Sequence, residues 1–394
     1  MTAVSSVFRL VFTALFLPVL WLAAGEAAAA TLGDEPYDSK ARAAILMDVK
    51  SGQVYYEKDA DTPVPPASMS KLMTQAIVFD LLKSGQLKED QLFTVSANAW
   101  KKGGAAAKGS TMYAQAKQEI RVIDLIRGAI IDSGNDACLT LAEGIDGKEQ
   151  TFVNRMNAKA AELGLKHSTF RNATGLEDPN HLMSVRDIAT LARYIIANHP
   201  EYFPIYGEKE FTWNKITQQN RNPLLVDYPG ADGMKTGYTK AAGYSLVGTV
   251  QRDGRRLVMV ISGLPSVDDR KAEAEHLLDW GLSKFRAIEV YASGDRVGKA
   301  RVWGGTQDWV DLVTNTSFSV ALTAEERHSA EVKLTYKGPL IAPVKQGVQV
   351  GVVKVFIAGR AIAELPVMTA GTVDPVDSMW RKAMSSAMIM VFGG

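Results

Sequence analysis

Apolar residues are grouped along the chain so that they predict strands, then helices, then strands again. Two strand-like runs flank the turn "KSG" and predict a β-hairpin over residues 41–57. The next stretch, "SMSKLMTQAIVFDLLKSG", predicts a core helix that begins at Ser68 and ends at Gly85. Helical spacing continues to Pro200, interrupted by a loop over residues 100–113 that is rich in Gly, Ala and Lys.

Strand patterns return after Pro204. The run "GYSLVGTVQRDGRRLVMVISGLP" predicts two strands joined at Asp253-Gly254, and "RKAEAEHLLDWGLSKF" predicts a final helix. Residues 31–286 are therefore expected to form one α+β domain, with layers of strands and helices. Residues 287–372 are alternating, Val-rich and broken by glycines, which predicts a small all-β sandwich domain.

The first 30 residues have the pattern of a secretory signal peptide. Arg9 precedes an apolar run over residues 10–24, and the alanines at 27–30 offer a cleavage site. The alternative is an uncleaved membrane anchor, but the run is shorter than the roughly 20 residues that a spanning helix needs. We therefore expect a protein that is exported and whose signal peptide is cleaved.

The last segment, residues 373–394, predicts a helix with one apolar side. Trp380, Met384, Met388 and Phe392 recur at four-residue spacing, while the basic Arg381 and its neighbour Lys382 take the other side. This pattern favours a helix lying on a membrane surface. The alternative is a terminal helix docked on the β domain.

Charge and composition exclude several classes of function. The 44 basic and 43 acidic residues give a net charge of +1, so no nucleic-acid-binding face is indicated. The five histidines show no H-E-x-x-H pairing, which argues against a zinc peptidase, and no metal or cofactor is expected. No G-x-S-x-G motif is present, which argues against an α/β-hydrolase.

The sequence contains one cysteine, Cys138, so no intramolecular disulfide can form. Its apolar helical surroundings predict that it is a small core residue.

The stretch "PPASMSKLMT" carries the first candidate chemistry. Ser68 and Lys71 lie three residues apart, so on a helix they share a face and the amine can approach the hydroxyl. A lysine acts as a base only when it is neutral, and burial or a second nearby cation lowers its pKa. If Ser68 is a nucleophile, a second cation is therefore expected close to Lys71.

Two distant motifs complete the pattern. "DSGNDA" contains Ser133-Gly134-Asn135 between helical runs, and "DGMKTGYT" contains Lys235-Thr236-Gly237 just before a predicted strand. The order Ser-x-x-Lys, Ser-x-Asn, Lys-Thr-Gly is the signature of the penicillin-recognising serine acyl transferases. Each motif alone is weak, but the three in this order in an exported chain are strong evidence for that chemistry.

From residue 41 to the C-terminus the chain resembles the low-molecular-mass penicillin-binding proteins that are D-alanyl-D-alanine carboxypeptidases. "ASMSKLMT", "LIRGAIIDSGNDAC", "GLKHSTFRNATGL" and "DGMKTGYTKAAGYSLV" carry the resemblance. It implies an antiparallel sheet with a helical cluster, followed by a small β domain and a helix attached to the inner membrane. It also implies a peptidoglycan pentapeptide as substrate and β-lactam antibiotics as covalent inhibitors.

The resemblance also implies a role for each matching residue. Ser68 would be the nucleophile, Lys71 its base, and Ser133 the group that helps move a proton to the leaving D-alanine. The substrate-binding residues would be Asn135, Lys235, Thr236, Gly237 and Tyr238, with the backbone N–H groups of Ser68 and Tyr238 forming the oxyanion hole. Arg270 would orient the substrate carboxylate, with Arg221 as the alternative arginine. Tyr238 departs from relatives that carry histidine there, so the preference for the donor side chain is expected to shift.

Three other functions remain open at this level. A serine β-lactamase shares the three motifs, but the chain lacks the Glu-x-x-Leu-Asn run that activates water in such enzymes. A non-catalytic penicillin sensor or scaffold would need no complete set of motifs. A D,D-endopeptidase uses the same chemistry and is left open as a side activity, and so is the formation of a homodimer.

Overall fold

The structure is a computed structural model that describes residues 3–8 and 37–392. The chain divides into two compact units. The first unit is Tyr37–Ser283, and the second is Lys284–Gly394 together with the N-terminal segment. Strand β1 (Ala3–Phe8) is the first element in the chain and belongs to the second unit.

The first unit contains a five-stranded sheet, two small hairpin-like sheets and a set of helices. Its strands are β2 (Ala43–Asp48), β3 (Val54–Lys58), β4 (Leu92–Thr94), β5 (Glu119–Arg121), β6 (Glu210–Trp213), β7 (Ile216–Gln219), β8 (Ala231–Thr239), β9 (Gly243–Arg252) and β10 (Arg255–Leu264). Its helices are α1 (Lys71–Lys83), α2 (Ala97–Gly103), α3 (Val122–Ile130), α4 (Asn135–Asp146), α5 (Glu149–Glu162), α6 (Val185–Asn198), α7 (Leu224–Asp227) and α8 (Val267–Lys284).

The main sheet is antiparallel and has the strand order β3-β2-β10-β9-β8, so β8 lies at one edge. Alternate residues of its central strands face opposite layers. Ile45 and Val258 pack into the core shared with the helical cluster. Leu46 and Leu257 face α8, where a Cβ at Gly281 would lie 2.2 Å from a methyl carbon of Leu46. The absence of a side chain at Gly281 thus allows α8 to approach the sheet closely.

Helix α1 is the centre of the helical cluster. Every residue from Lys71 to Phe79 is buried, which is the property of a helix surrounded by protein rather than of a surface helix. A 3₁₀ turn, Ala67–Ser70, precedes it. Ser68 therefore lies in this turn rather than at the N-cap of the helix.

Two other sequence predictions need correction. The predicted loop over residues 100–113 begins inside α2, and its Ala105–Ala107 form a further 3₁₀ turn, so only the remainder is irregular. Lys235-Thr236-Gly237 was predicted just before a strand but lies in the middle of β8. The reason is that glycines at 233 and 237 hide the strand pattern, although β8 pairs with β9 along its length.

The second unit consists mainly of strands. These are β11 (Arg286–Tyr291), β12 (Arg296–Trp303), β13 (Trp309–Thr314), β14 (Phe318–Leu322), β15 (Glu331–Lys337), β16 (Leu340–Ile341), β17 (Gln349–Ile357) and β18 (Arg360–Thr369), with helices α9 (Glu326–Ser329) and α10 (Met379–Phe392). A seven-stranded sheet has the order β1-β15-β17-β18-β13-β12-β16, and β11 pairs with β14 separately. The expected all-β character of this region is present.

The two ends of the chain are described only in part. β1 pairs antiparallel with β15, from Ala3 opposite Lys337 to Phe8 opposite Val332. The predicted apolar run at 10–24 and the cleavage site at 27–30 lie outside the described residues. Helix α10 begins at Met379, and within the second unit its Ser386 hydroxyl accepts a hydrogen bond from Trp303 Nε1 at 2.9 Å.

Gly175 fixes the position of the 3₁₀ turn that holds Ser68. Its φ is +81°, and a Cβ there would lie 1.9 Å from the Ala67 carbonyl oxygen and 2.7 Å from Ser70 Oγ. Gly164 offers a matched control, because its φ is +68° but nothing lies within 4 Å of an added Cβ.

We expect Gly175→Ala to be much more destabilising than Gly164→Ala. Both substitutions force alanine into a left-handed conformation, which costs roughly 1 kcal/mol, whereas only Gly175→Ala also displaces the turn, at roughly 2–4 kcal/mol more. Urea unfolding followed by near-ultraviolet circular dichroism measures the difference. Equal losses for the two variants would contradict the proposed role of the close contact.

Candidate active site

The turn before α1 brings the first pair of candidate residues together. Lys71 Nζ donates a hydrogen bond to Ser68 Oγ at 2.9 Å and another to the Thr174 carbonyl oxygen at 2.5 Å. The lysine is 1% exposed, whereas Ser68 is partly exposed. Ala67, directly before the serine, has a φ of +48°, an uncommon conformation that is often found at functional sites.

Burial governs the charge of Lys71. Burial, together with the nearby positive charge of Arg221, lowers the pKa of the ammonium group to about 8, although the Cys138 thiol and the Asp136 carboxylate oppose this shift. A minor fraction of Lys71 is therefore neutral at pH 7, and this fraction reaches about half near pH 8. A neutral amine within hydrogen-bond distance of Ser68 Oγ can accept its proton.

Strand β8 lies directly against the Ser68 turn. A Cβ at Gly237 would lie 3.0 Å from the Pro66 carbonyl oxygen and 3.4 Å from Ala67 Cβ, so only glycine fits without a shift. The strand thereby places Lys235 (2% exposed) and Thr236 (7% exposed) beside the turn. Two of the three sequence motifs thus meet at one edge of the sheet.

The second cation that the sequence argument required is Arg221, whose positive charge lowers the pKa of Lys71. Lys235 is a second buried lysine beside the same turn. Burial holds its pKa well below the ordinary value for lysine, and the next largest cause is the positive charge of Lys71. The charge of Arg221 acts on Lys235 in the same direction. The charge of Lys71 therefore disfavours the protonation of Lys235.

The third motif joins the same region at the start of α4. Ser133 is 2% exposed and has a φ of +58°, and Asn135 is the first residue of α4. The backbone N–H of Asn135 donates to the Ser110 carbonyl oxygen at 2.8 Å. One turn later, the Cys138 thiol is within electrostatic reach of both Lys71 and Lys235, which places this end of α4 beside the lysine pair.

The two candidate arginines both influence the lysine pair. The positive charge of Arg221 lowers the pKa of Lys71 and of Lys235, whereas that of Arg270 acts on Lys235. Arg270 is 7% exposed, and its guanidinium carbon lies 5.9 Å from the ring centroid of Tyr244. Both positions therefore add positive potential where a substrate carboxylate is expected.

Tyr238 directs its side chain away from the core. It is 55% exposed and packs against Tyr244, with ring centroids 4.3 Å apart. The backbone of Tyr238 follows Gly237 on β8, so its position is set by the strand rather than by its own ring.

Sequence reasoning missed the two buried carboxyl groups beside Ser133. Asp136 is satisfied by four hydrogen bonds, which come from the Thr111 hydroxyl and from the backbone N–H groups of Met112, Ala114 and Ala137. Asp132 is 1% exposed, and its carboxyl oxygens make no hydrogen bond of good geometry, although the nearby Gln218 amide lowers its pKa. Burial raises the pKa of Asp132 to about 7, although Arg221 and Lys235 oppose this shift. Its only sequence signal was adjacency to Ser133.

Among residues 37–392 and 3–8, no group of three or more His, Cys, Asp or Glu side chains could hold a metal ion.

Comparison with known proteins agrees with this arrangement. The D-alanyl-D-alanine carboxypeptidase family of serine peptidases matches residues 29–266, and the C-terminal domain of penicillin-binding protein 5 matches residues 285–375. The carboxypeptidase DacD of Escherichia coli is 37% identical over 86% of this chain and 88% of its own length. DacC of the same organism is 37% identical over 90% of each chain.

Solved structures give the same result. The crystal structure of penicillin-binding protein 5 from Haemophilus influenzae aligns with a TM-score of 0.78 at 34% identity, covering 87% of this chain and all of that one. Penicillin-binding protein 6B from Escherichia coli aligns with a TM-score of 0.67 at 33% identity, over 85% and 97%. An antiparallel sheet with Lys-Thr-Gly at its edge beside a Ser-x-x-Lys turn defines an acyl-enzyme serine peptidase. The chain belongs to the D-alanyl-D-alanine carboxypeptidase family.

We expect the acylation of this protein to depend on the neutral form of Lys71. Because burial lowers the pKa of Lys71 to about 8, the second-order rate constant should rise about tenfold per pH unit at lower pH and level off above about pH 8. Stopped-flow acylation by a fluorescent β-lactam between about pH 6 and pH 9.5 measures this rise of the rate constant with pH. A rate constant that keeps rising up to the ordinary pKa of lysine would contradict the assignment of Lys71 as the base.

Proposed function

We propose that this protein is a serine-type D-Ala-D-Ala carboxypeptidase that removes the terminal D-alanine from the pentapeptide of peptidoglycan. The observation that carries the proposal is the 2.9 Å hydrogen bond between buried Lys71 Nζ and partly exposed Ser68 Oγ. Membership of the carboxypeptidase family supports the same conclusion. The substrate differs from an internal peptide bond by its free terminal carboxylate. This carboxylate can be bound by Lys235 and Thr236, together with the nearby arginines.

The reaction proceeds in two steps. Ser68 Oγ attacks the carbonyl carbon of the penultimate D-alanine while Lys71 Nζ accepts the hydroxyl proton. The negative charge on the carbonyl oxygen is stabilised by the backbone N–H groups of Ser68 and Tyr238. The C–N bond then breaks as a proton passes through Ser133 to the leaving amine. A water molecule hydrolyses the ester, which releases the shortened peptide and regenerates Ser68.

Asn135 and the positive groups hold the substrate in place. The Asn135 amide binds the peptide on the acyl side, while Lys235, Thr236 and Arg270 bind the terminal carboxylate. A β-lactam carries a carboxylate and a strained amide in a similar arrangement, so it acylates the same Ser68. The ampicillin-bound structure of penicillin-binding protein D2 from Listeria monocytogenes, a relative 28% identical to this chain, supports that expectation.

Release of D-alanine from an N-acylated pentapeptide tests the proposed reaction. The protein lacking residues 1–30 should release D-alanine, and Ser68→Ala should lose at least about 10³-fold in kcat because the covalent route is removed. Ser70→Ala is the matched control, since it removes a buried hydroxyl two residues away in the same turn and should retain most activity. A folded protein that is acylated by penicillin but releases no D-alanine would contradict the carboxypeptidase function and favour a penicillin sensor.

The proposed site of action is the outer surface of the inner membrane, in the periplasm. The signal-like pattern of residues 1–30 supports export. Helix α10 supports attachment, because Met379, Trp380 and Met384 are 80%, 75% and 54% exposed, whereas Ser386 faces β12. No helix in the described part of the chain is long and apolar enough to cross a membrane. The contact with β12 therefore leaves an apolar side of α10 free to lie on a bilayer surface.

We expect Trp380→Ser/Met384→Ser to weaken binding to lipid vesicles roughly tenfold or more, because two large apolar side chains would no longer enter the interface. Ile341→Ser is the matched control, as Ile341 is a 70% exposed apolar residue of the same unit outside α10. Co-sedimentation with vesicles of phosphatidylethanolamine and phosphatidylglycerol measures the effect. Equal binding of the two variants would show that α10 is not the attachment site.

A further inference from the structure

A cavity of about 390 Å³ lies beside the β12–β13 pair in the second unit. Its lining comes from these two strands, from the turn between them and from the segment that follows β18. Polar and aromatic side chains dominate this lining: Lys299, Gln307, Trp309, Asp311 and Thr372. The volume falls in the range of small-molecule sites in proteins, and no step of the proposed reaction uses this cavity.

Strand register explains why a tryptophan faces outward here. In the antiparallel β12–β13 pair, Arg301 lies opposite Trp309, and Lys299 lies opposite Asp311. These four residues share one face of the pair, because side chains alternate along a strand. Val310, between Trp309 and Asp311, packs into the core on the other face. The pair therefore carries an aromatic ring and both signs of charge on its outer face.

Trp309 is held with one face of its ring available. The guanidinium carbon of Arg301 lies 5.2 Å from the centroid of the Trp309 ring, and Arg301 is only 6% exposed. The guanidinium group therefore covers one face of the indole. Trp309 is nonetheless 45% exposed, so its opposite face is open toward the cavity. Such a flat, electron-rich surface suits a partner that presents a flat face of C–H groups.

Hydrogen-bonding groups surround the open face of the indole. Arg296 binds Asp311 through Oδ1 at 3.1 Å. The Thr372 hydroxyl accepts a backbone hydrogen bond at 3.3 Å and retains its own hydrogen to donate. The exposed Lys299 ammonium and Gln307 amide add further donors. The rim thus offers donors and acceptors together, rather than charge of a single sign.

The segment after β18 leaves room for a ligand. The Ala370 N–H donates to the Asp311 carbonyl oxygen at 2.8 Å, and Val373 forms a bridge with Val344, so the segment is fixed at both ends. Between these points, nothing lies within 4 Å of a Cβ added at Gly371. Because Gly371 lines the cavity, this open space belongs to it.

We propose that this cavity binds a neutral saccharide, and that its ligand is the chain of N-acetylated amino sugars that carries the substrate peptide. A pyranose ring has C–H groups on its faces and hydroxyl groups around its edge. One face can stack on Trp309 while the edge bonds to Asp311 and Thr372. The Gln307 amide can donate to the carbonyl oxygen of an acetamido group, whose methyl group fits the space at Gly371.

The identity of the saccharide rests on the proposed function, because that function places the substrate peptide on a glycan polymer. Binding of the polymer at a second site would raise the effective concentration of stem peptides at the catalytic residues. The saccharide chemistry of the cavity follows from the second unit alone, since its residues include none of the proposed catalytic groups.

A saccharide without any peptide tests the site independently of the reaction. Tetra-N-acetylchitotetraose is a β-linked chain of N-acetylglucosamine, and cellotetraose is the matched chain of glucose without acetamido groups. Isothermal titration calorimetry should give a dissociation constant of roughly 1 mM or lower for the first saccharide, and a value at least about threefold higher for the second. Absence of binding, or equal dissociation constants, would overturn the proposed ligand.

Two variants locate the binding in this cavity. Trp309→Ala should weaken the binding of tetra-N-acetylchitotetraose roughly tenfold or more, because the stacking surface is lost. Gly371→Leu should have a similar effect by filling the cavity, and it leaves Trp309 and Arg301 in place. Trp380→Ala is the matched control, since it removes an exposed tryptophan of the same unit outside the cavity and should leave binding unchanged. Binding that survives both Trp309→Ala and Gly371→Leu would overturn the site.

D-alanine release distinguishes this inference from the proposed reaction. With isolated peptidoglycan sacculi as substrate, Gly371→Leu should lower the rate at least about threefold because the polymer is held less well. With a soluble N-acylated pentapeptide, the rate should not change. Saccharide binding without D-alanine release from either substrate would support the site and count against the carboxypeptidase function alone. Equal rates on sacculi with and without Gly371→Leu would contradict the binding of the glycan polymer here.

Discussion

The close burial of two lysines is the constraint on which the rest of the site depends. Lys71 and Lys235 are 1% and 2% exposed, and burial lowers the pKa of both, while the charge of Lys71 lowers that of Lys235 further. Exposure to water would screen the two ammonium groups from each other. It would also leave Lys71 protonated and unable to accept a proton. The Ser68 turn packs tightly against β8 at Gly237 and against the loop at Gly175, and this packing buries the pair. Burying these amines lowers the free energy of unfolding. The same burial favours the neutral form of Lys71, which can accept the proton of Ser68.

The nearby carboxyl groups do not simply neutralise the lysines. Asp136 is held by four donors, so its role is to tie the segment at residues 111–114 to the start of α4. Asp132 has no such donors, and its raised pKa of about 7 leaves it partly protonated near neutral pH. A substrate carboxylate therefore enters a site whose positive charge is only partly compensated from within.

The sequence predicted the chemistry of the site better than its geometry. Ser68, Lys71 and Lys235 were identified because their side-chain types and order are unusual together. The carbonyl oxygen of Thr174 could not be found in this way, since any residue presents a carbonyl and only the fold brings this one to Lys71. His181 belongs to no motif in the sequence, and only the fold shows that its ring is buried and that neither nitrogen has a partner among the described residues. The central helix and the two long strands were predictable because their apolar runs are continuous, whereas β8 was hidden by its glycines.

Cys138 gives this protein a built-in reporter of how often its active site opens. It is the chain's only cysteine, and it is completely buried on α4. Its thiol is close enough to interact electrostatically with both lysines. Burial raises the pKa of the thiol to about 11, so it stays unreactive while the site is closed. A thiol reagent can reach it only when α4 separates from its neighbours. The rate of labelling in native buffer thus measures local opening at the catalytic centre itself, with no residue engineered into the chain.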